Sequence, residues 1–105
     1  MLINNAGLMQ VDAADCRIDD TQMVSTITTN LMGPIRMTSA LIEHLKTKQD
    51  AVVVYNTSAL GFVPLAATAV YSSTKAALHS YVMSQRFILK GAGVRVRRRG
   101  CVPIR

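Results

Sequence analysis

The chain has 105 residues, enough for one small domain and no more. Half of them are hydrophobic and 17% are charged, a globular composition that excludes a disordered or fibrous chain. The net charge of +6 raises nucleic acid as a partner, yet five of the twelve basic residues are Arg95, Arg97, Arg98, Arg99 and Arg105. Without the last eleven residues, seven positive charges face six negative ones, so the basicity belongs to a tail and not to a face of the fold.

Met1 leads straight into Leu2-Ile3 without the basic region of a secretory leader, and no apolar run approaches the ~20 residues that span a bilayer. Cys16 and Cys101 lie far apart and lack the spacing of metal ligands. The expectation is therefore a cytoplasmic chain with no metal, no structural disulfide and no membrane contact.

Leu2-Ile3 followed by Asn4-Asn5-Ala6-Gly7 reads as a short strand entering a turn. Residues 12–20 are polar and loop-like, with Asp19 or Asp20 available as the N-cap of a helix. Over residues 21–48, Met23, Ile27, Leu31, Ile35, Leu41 and Leu45 keep a four-residue beat along one face of a long helix. Residues 51–55 form a β-branched run without polar alternation, as in a strand buried on both faces of a parallel sheet. A loop over 58–68 contains Gly61 and Pro64. A second helix runs from about 70 to 90 and stops at Gly91, and a third strand begins at Val94.

Strand, helix, strand, helix, strand is the order of a parallel α/β architecture with right-handed crossovers. If the strands lie side by side in chain order, both helices cover the same face of the sheet. The other face then has nothing in the chain to cover it, which suggests that part of a domain is absent.

Tyr71-Ser72-Ser73-Thr74-Lys75 places a phenol and an ammonium one helical turn apart. A free phenol, with a pKa of about 10, is a poor base at neutral pH, and a neighbouring cation favours its ionised form. Many surface helices carry this spacing, so its company matters. Ser58 comes just after the buried strand, at the carboxyl end where α/β sheets hold ligands. Asn4 to Gly7 sits at the same end of the first strand, and Asn30 lies inside the long helix, where propensity disfavours it.

In order and spacing these residues resemble the short-chain dehydrogenase/reductase family, over residues 1–96. The resemblance implies a partial Rossmann-type, doubly wound parallel sheet, the C-terminal half of an NAD(P)-binding domain, with residues 97–105 as a basic tail outside the family pattern. It implies a hydride transfer between nicotinamide and a secondary alcohol or ketone, with Asn30, Ser58, Tyr71 and Lys75 as the catalytic tetrad. In that scheme Tyr71 exchanges a proton with the substrate oxygen and Ser58 hydrogen-bonds the same oxygen. Lys75 tunes the phenol and binds the nicotinamide ribose, so Tyr71 and Lys75 also count among the cofactor contacts. Asn30 holds a relay water, and Asn4, Ala6 and Gly7 border the adenosine side of NAD or NADP. Asn5 is expected to tie neighbouring strands instead.

One element of the scheme can be read from the residues themselves. Pro34 has no N–H to give to the Asn30 carbonyl, which is left free inside a helical segment with a kink expected there.

The remaining polar and aromatic residues have structural readings. Tyr55 and Tyr81 fit the core or an interface, His44 and His79 fit the outer faces of helices, and the six methionines are core filler. Ala76, Ala77 and Ser80 make a small-residue patch that suits either tight packing or a homo-oligomer joined through the two long helices. The arginine run lacks interleaved aromatics, and nucleic acid is not expected. The glycine-rich strand–turn–helix that grips the pyrophosphate in the family is missing, so the chain alone is expected to be inactive. Three readings stand: a piece of an NAD(P)-dependent oxidoreductase acting on small alcohols or carbonyls, a non-catalytic remnant of one, or a small basic binding module.

Overall fold

The computed structural model describes residues 1–100 apart from Ala13 and Pro64, with Ala59 described by its backbone alone. Cys101 and Arg105 lie outside the described residues.

Strand β1 (Leu2–Asn4) is followed by helix α1 (Asp20–Ile27), a π turn (Thr28–Met32) and helix α2 (Gly33–Lys46). Then come β2 (Ala51–Thr57), a 3-10 turn (Ala59–Gly61), α3 (Ala69–Ile88) and β3 (Val94–Gly100). Asp19 caps α1, its carboxylate accepting from the Gln22 N–H at 3.2 Å. Where a kink was expected at Asn30, the chain forms a π turn, in which the Gly33 N–H reaches back five residues to the Thr28 carbonyl. Helix α3 ends before Gly91 and Gly93, both with positive φ (85° and 76°), which glycine adopts without strain.

The three strands pair in parallel in the order β1-β2-β3, with Leu2 opposite Val53 and Ala51 opposite Val94. β3 does not stop at Val96. It runs on to Gly100, so that Arg97, Arg98 and Arg99 pair with Val54, Tyr55 and Asn56 as strand residues.

Alternation along the strands separates two faces. Ala51, Val53 and Tyr55 join Val94 and Val96, and pack with Leu45, Leu78, Val82 and Leu89 of the helical side into one core. The other face carries Ile3, 57% exposed, with Val52 and Val54 half-buried and Arg95, Arg97 and Arg99 exposed. β2 is thus fully buried on one face only.

The long helical segment also differs from its apolar pattern. Met23, Ile27, Leu31 and Ile35 are only half-buried, whereas the adjacent stripe of Thr26, Asn30, Pro34 and Thr38 is buried, continued by Leu45. Polar side chains go inside because each finds a partner there. The Thr38 hydroxyl accepts from Asn4 Nδ2 at 3.1 Å and lies 2.9 Å from the Tyr55 hydroxyl, which is also 2.6 Å from Gln85 Oε1. Burial pushes the Tyr55 phenol above its ordinary pKa, more strongly than these hydrogen bonds pull it down.

Candidate active site

Three segments meet at the carboxyl end of the parallel strands. The turn after β1 brings Gly7 there, the π turn brings Asn30, and the first turns of α3 bring Lys75. A Cβ built on Gly7 would lie 3.7 Å from Asn30 Oδ1 and 3.8 Å from Lys75 Nζ. Asn30 is fully buried and its amide is used at both ends. Oδ1 accepts from the Leu8 N–H at 2.7 Å, while Nδ2 donates to the Leu8 carbonyl at 2.7 Å and to Thr74 Oγ1 at 3.3 Å. The asparagine therefore clasps the chain just past Gly7 against α3.

Lys75 is 5% exposed, and its ammonium donates to the Asn56 carbonyl at 3.0 Å. That carbonyl belongs to the end of β2, so the amine is tied to the sheet terminus. Tyr71, one turn earlier on α3, is half-buried, and Lys75 Nζ stands 5.6 Å from the centre of its ring. Thr74 bonds back to the Tyr71 carbonyl at 2.6 Å and so joins the tyrosine to the Asn30 network.

Ser58 leaves the same end of β2. Its hydroxyl accepts from the Leu60 N–H at 3.2 Å, and its carbonyl accepts from Gly61 at 3.0 Å. Among the described residues no hydrogen bond joins the Ser58 and Tyr71 hydroxyls. What connects Ser58 to α3 is a close approach: a Cβ on Gly61 would sit 3.0 Å from both the backbone carbon and the oxygen of Lys75. Asn30 and Lys75 thus both border Gly7, Tyr71 is one turn away, and Ser58 is held through the backbone of its own loop.

Of the other expected residues, Ala6 is exposed at the β1 turn and Asn4 is buried, its amide bonded to Thr38. Asn5 accepts from Asn56 Nδ2 at 3.1 Å, which ties the turn after β1 to β2.

Tyr71 also borders a cavity of about 250 Å³, whose wall includes Gln10, Asp12, Arg17, Gln22 and Val70. Asp12 had no place in the sequence pattern. Its carboxylate accepts from the backbone N–H groups of Ala69 at 2.7 Å and Val70 at 3.1 Å, while its own N–H donates to the Ala67 carbonyl at 2.8 Å. It caps α3 in place of Thr68, the local N-cap residue, whose side chain makes no capping bond. The partners are 57 and 58 residues apart, so no local spacing signals the contact.

His79 likewise has partners where none was expected. Its ring meets Phe62 edge-on at 4.7 Å, and Arg98 hydrogen-bonds it while covering the Phe62 ring at 4.8 Å. Burial first, then the charges of Arg98 and Arg86, hold the imidazole below its ordinary pKa.

Comparison with known proteins agrees with this fold. The family model described as short chain dehydrogenase matches residues 1–103. The chain is 34% identical over 101 residues to the uncharacterized oxidoreductase DltE of Bacillus subtilis, covering 91% of this chain and 38% of that protein. It superposes with a TM-score of 0.86 on a 3-ketoacyl-(acyl-carrier-protein) reductase of Brucella melitensis complexed with NADH, at 26% identity, covering 92% of this chain and 42% of that one. A metagenomic short-chain oxidoreductase in complex with NADP shares the fold at a TM-score of 0.90 and 23% identity, with 99% of this chain and 47% of that one covered. The chain thus spans less than half the length of each of these three proteins. No helix among the described residues is long and apolar enough to cross a membrane. The match along nearly the whole chain, on a parallel β-α-β-α-β fold, places it in the short-chain dehydrogenase family.

Proposed function

We propose that the chain forms the proton-handling part of an NAD(P)-dependent oxidoreductase that interconverts a secondary alcohol and a ketone, with Tyr71 as the acid/base. One observation carries this reading: a buried lysine amine and the Asn30 amide both border Gly7 at the carboxyl end of a parallel sheet, one helical turn from Tyr71. A buried cation is costly to hold, and functional sites are where such groups concentrate.

The residues fit a dinucleotide. Gly7 leaves open the space that a Cβ would fill between Asn30 and Lys75, and Lys75 and Tyr71 would hold the nicotinamide ribose. The backbone of Asn4, Ala6 and Gly7 would border the adenosine side. Once bound, NAD or NADP supplies or accepts the hydride. Tyr71 then gives a proton to the substrate oxygen or takes one from it, Ser58 hydrogen-bonds that oxygen, and Lys75 stabilises the ionised phenol. Asn30 keeps the turn after β1 fixed against α3 throughout. The pyrophosphate contacts belong to a glycine-rich segment outside this chain, and Ala76, Ala77 and Ser80, exposed on α3, serve as a contact for a second copy.

Tyr71→Phe in the intact protein tests the reading, since only the phenol hydroxyl changes. Turnover is expected to fall by ~10²–10⁴, with cofactor affinity within a few-fold of the parent. A variant that retains more than half the parental turnover refutes the assignment.

A further inference from the structure

Helix α3 is the element on which the proposed chemistry depends, and its start is held from a distance. The first two N–H groups of the helix, at Ala69 and Val70, are the ones bonded by the Asp12 carboxylate. Unpaired N–H groups and the positive end of the helix dipole make this a favourable place for a carboxylate. Tyr71 is the next residue. Asp12 is held in turn by its own N–H bond to the Ala67 carbonyl, and the chain four residues before it is clasped by Asn30 at Leu8. Residues 8–12 therefore form a strap with two anchors, one on the π turn and one on the N-terminus of α3. The same strap contributes Gln10 and Asp12 to the wall of the cavity that Tyr71 borders.

From this we infer that Asp12 is a positioning residue for Tyr71: it fixes the first turn of α3, and with it the phenol, relative to the cavity. Resting on the reading of Tyr71 as the acid/base, the inference adds a residue that acts through the helix and does not touch the reacting atoms. Lys75 lies a full turn deeper and has its own anchor on the Asn56 carbonyl. Loss of the cap therefore moves the tyrosine more than the lysine. Proton transfer suffers while cofactor binding persists.

The experiment compares Asp12→Ala, Asp12→Asn and Tyr71→Phe in the intact protein. Steady-state kcat is normalised to the fraction of molecules that bind NAD(P)H stoichiometrically, which removes any loss due to misfolding. Asp12→Ala is expected to lower kcat per binding site at least ten-fold, since an ångström of misplacement costs ~10² in rate, with the Kd for NAD(P)H within three-fold. Asp12→Asn keeps one side-chain oxygen for one of the two N–H groups and is expected to recover part of the loss. If Asp12→Ala yields no folded protein, Asp12→Asn decides, and its kcat per binding site must then fall at least three-fold. Parental kcat per binding site in the folded alanine variant, or in the asparagine variant where that one decides, overturns the inference and leaves Asp12 as a stabilising cap only. If Tyr71→Phe keeps its activity, the acid/base reading fails first and the inference falls with it.

Discussion

Gly61→Ala probes the contact that holds the Ser58 loop against the helix of Tyr71 and Lys75. The added Cβ would meet the Lys75 carbon and oxygen at 3.0 Å and the Ala76 nitrogen at 3.2 Å, all backbone atoms. Contacts this short are tighter than side chains ordinarily accept, so one side must retreat by a few tenths of an ångström. The helix cannot yield easily, because Leu78 and Val82 on its later turns are buried in the core. The 3-10 turn gives way instead and takes Ser58 with it, through the bonds of Leu60 and Gly61 to that residue. Overpacking of this kind costs about 1–3 kcal/mol of stability. A displacement of this size at a substrate-orienting group lowers kcat several-fold, short of the ~10² that a full ångström costs, with cofactor affinity retained. Thermal unfolding and steady-state kinetics on the intact protein read the two effects separately. Unchanged kcat in a variant whose melting temperature has fallen would refute the argument that Ser58 is placed through Gly61.

Gly91→Ala is the matched control: nothing lies within 4 Å of its Cβ, so only the positive φ is strained, and about 1 kcal/mol of stability should be lost with kcat unchanged. Tyr55→Phe removes the hydroxyl shared with Thr38 and Gln85 and should cost about 1–3 kcal/mol in denaturant unfolding. The same variant tests the phenol's raised pKa. An unfolded tyrosine ionises near pH 10 and releases its proton before the folded one does, so stability present below about pH 10 is lost as the pH climbs beyond it. Unfolding curves between pH 8 and 11 should show that alkaline loss in the parent and a shallower one in Tyr55→Phe.

The sheet, the helices and their order were readable because β-branched runs, a four-residue beat and terminal glycines are local signals. The family resemblance came from Asn4 to Gly7, Asn30, Ser58, Tyr71 and Lys75 taken jointly, since no single one of these patterns is specific. The buried stripe of the long helix was not readable. Thr26, Asn30 and Thr38 are polar, and the burial of Asn30 and Thr38 depends on partners at Leu8, Asn4 and Tyr55 that only the folded chain brings near. Asp12 was hidden for the same reason, its helix lying 57 residues further on. The arginines of β3 read as a tail because they fall outside the family pattern. Their strand pairing with β2, the packing of Arg98 over Phe62 and its hydrogen bond to His79 are tertiary effects.

The π turn at residues 28–32 has a geometric consequence for everything before it. Side chains four apart on an α-helix advance 400° and so slip by about 40° at each step, and the row from Thr26 to Thr38 would wind away from the core by about 120° over three steps. One wide turn in the middle absorbs much of that slip, working like a vernier between two helices of ordinary pitch. Tightening the turn to ordinary winding with every residue kept would rotate α1, with the start of the cavity wall, by a large part of that ~120° about the helix axis. The width of that single turn sets the angle at which the entire N-terminal arm meets Tyr71.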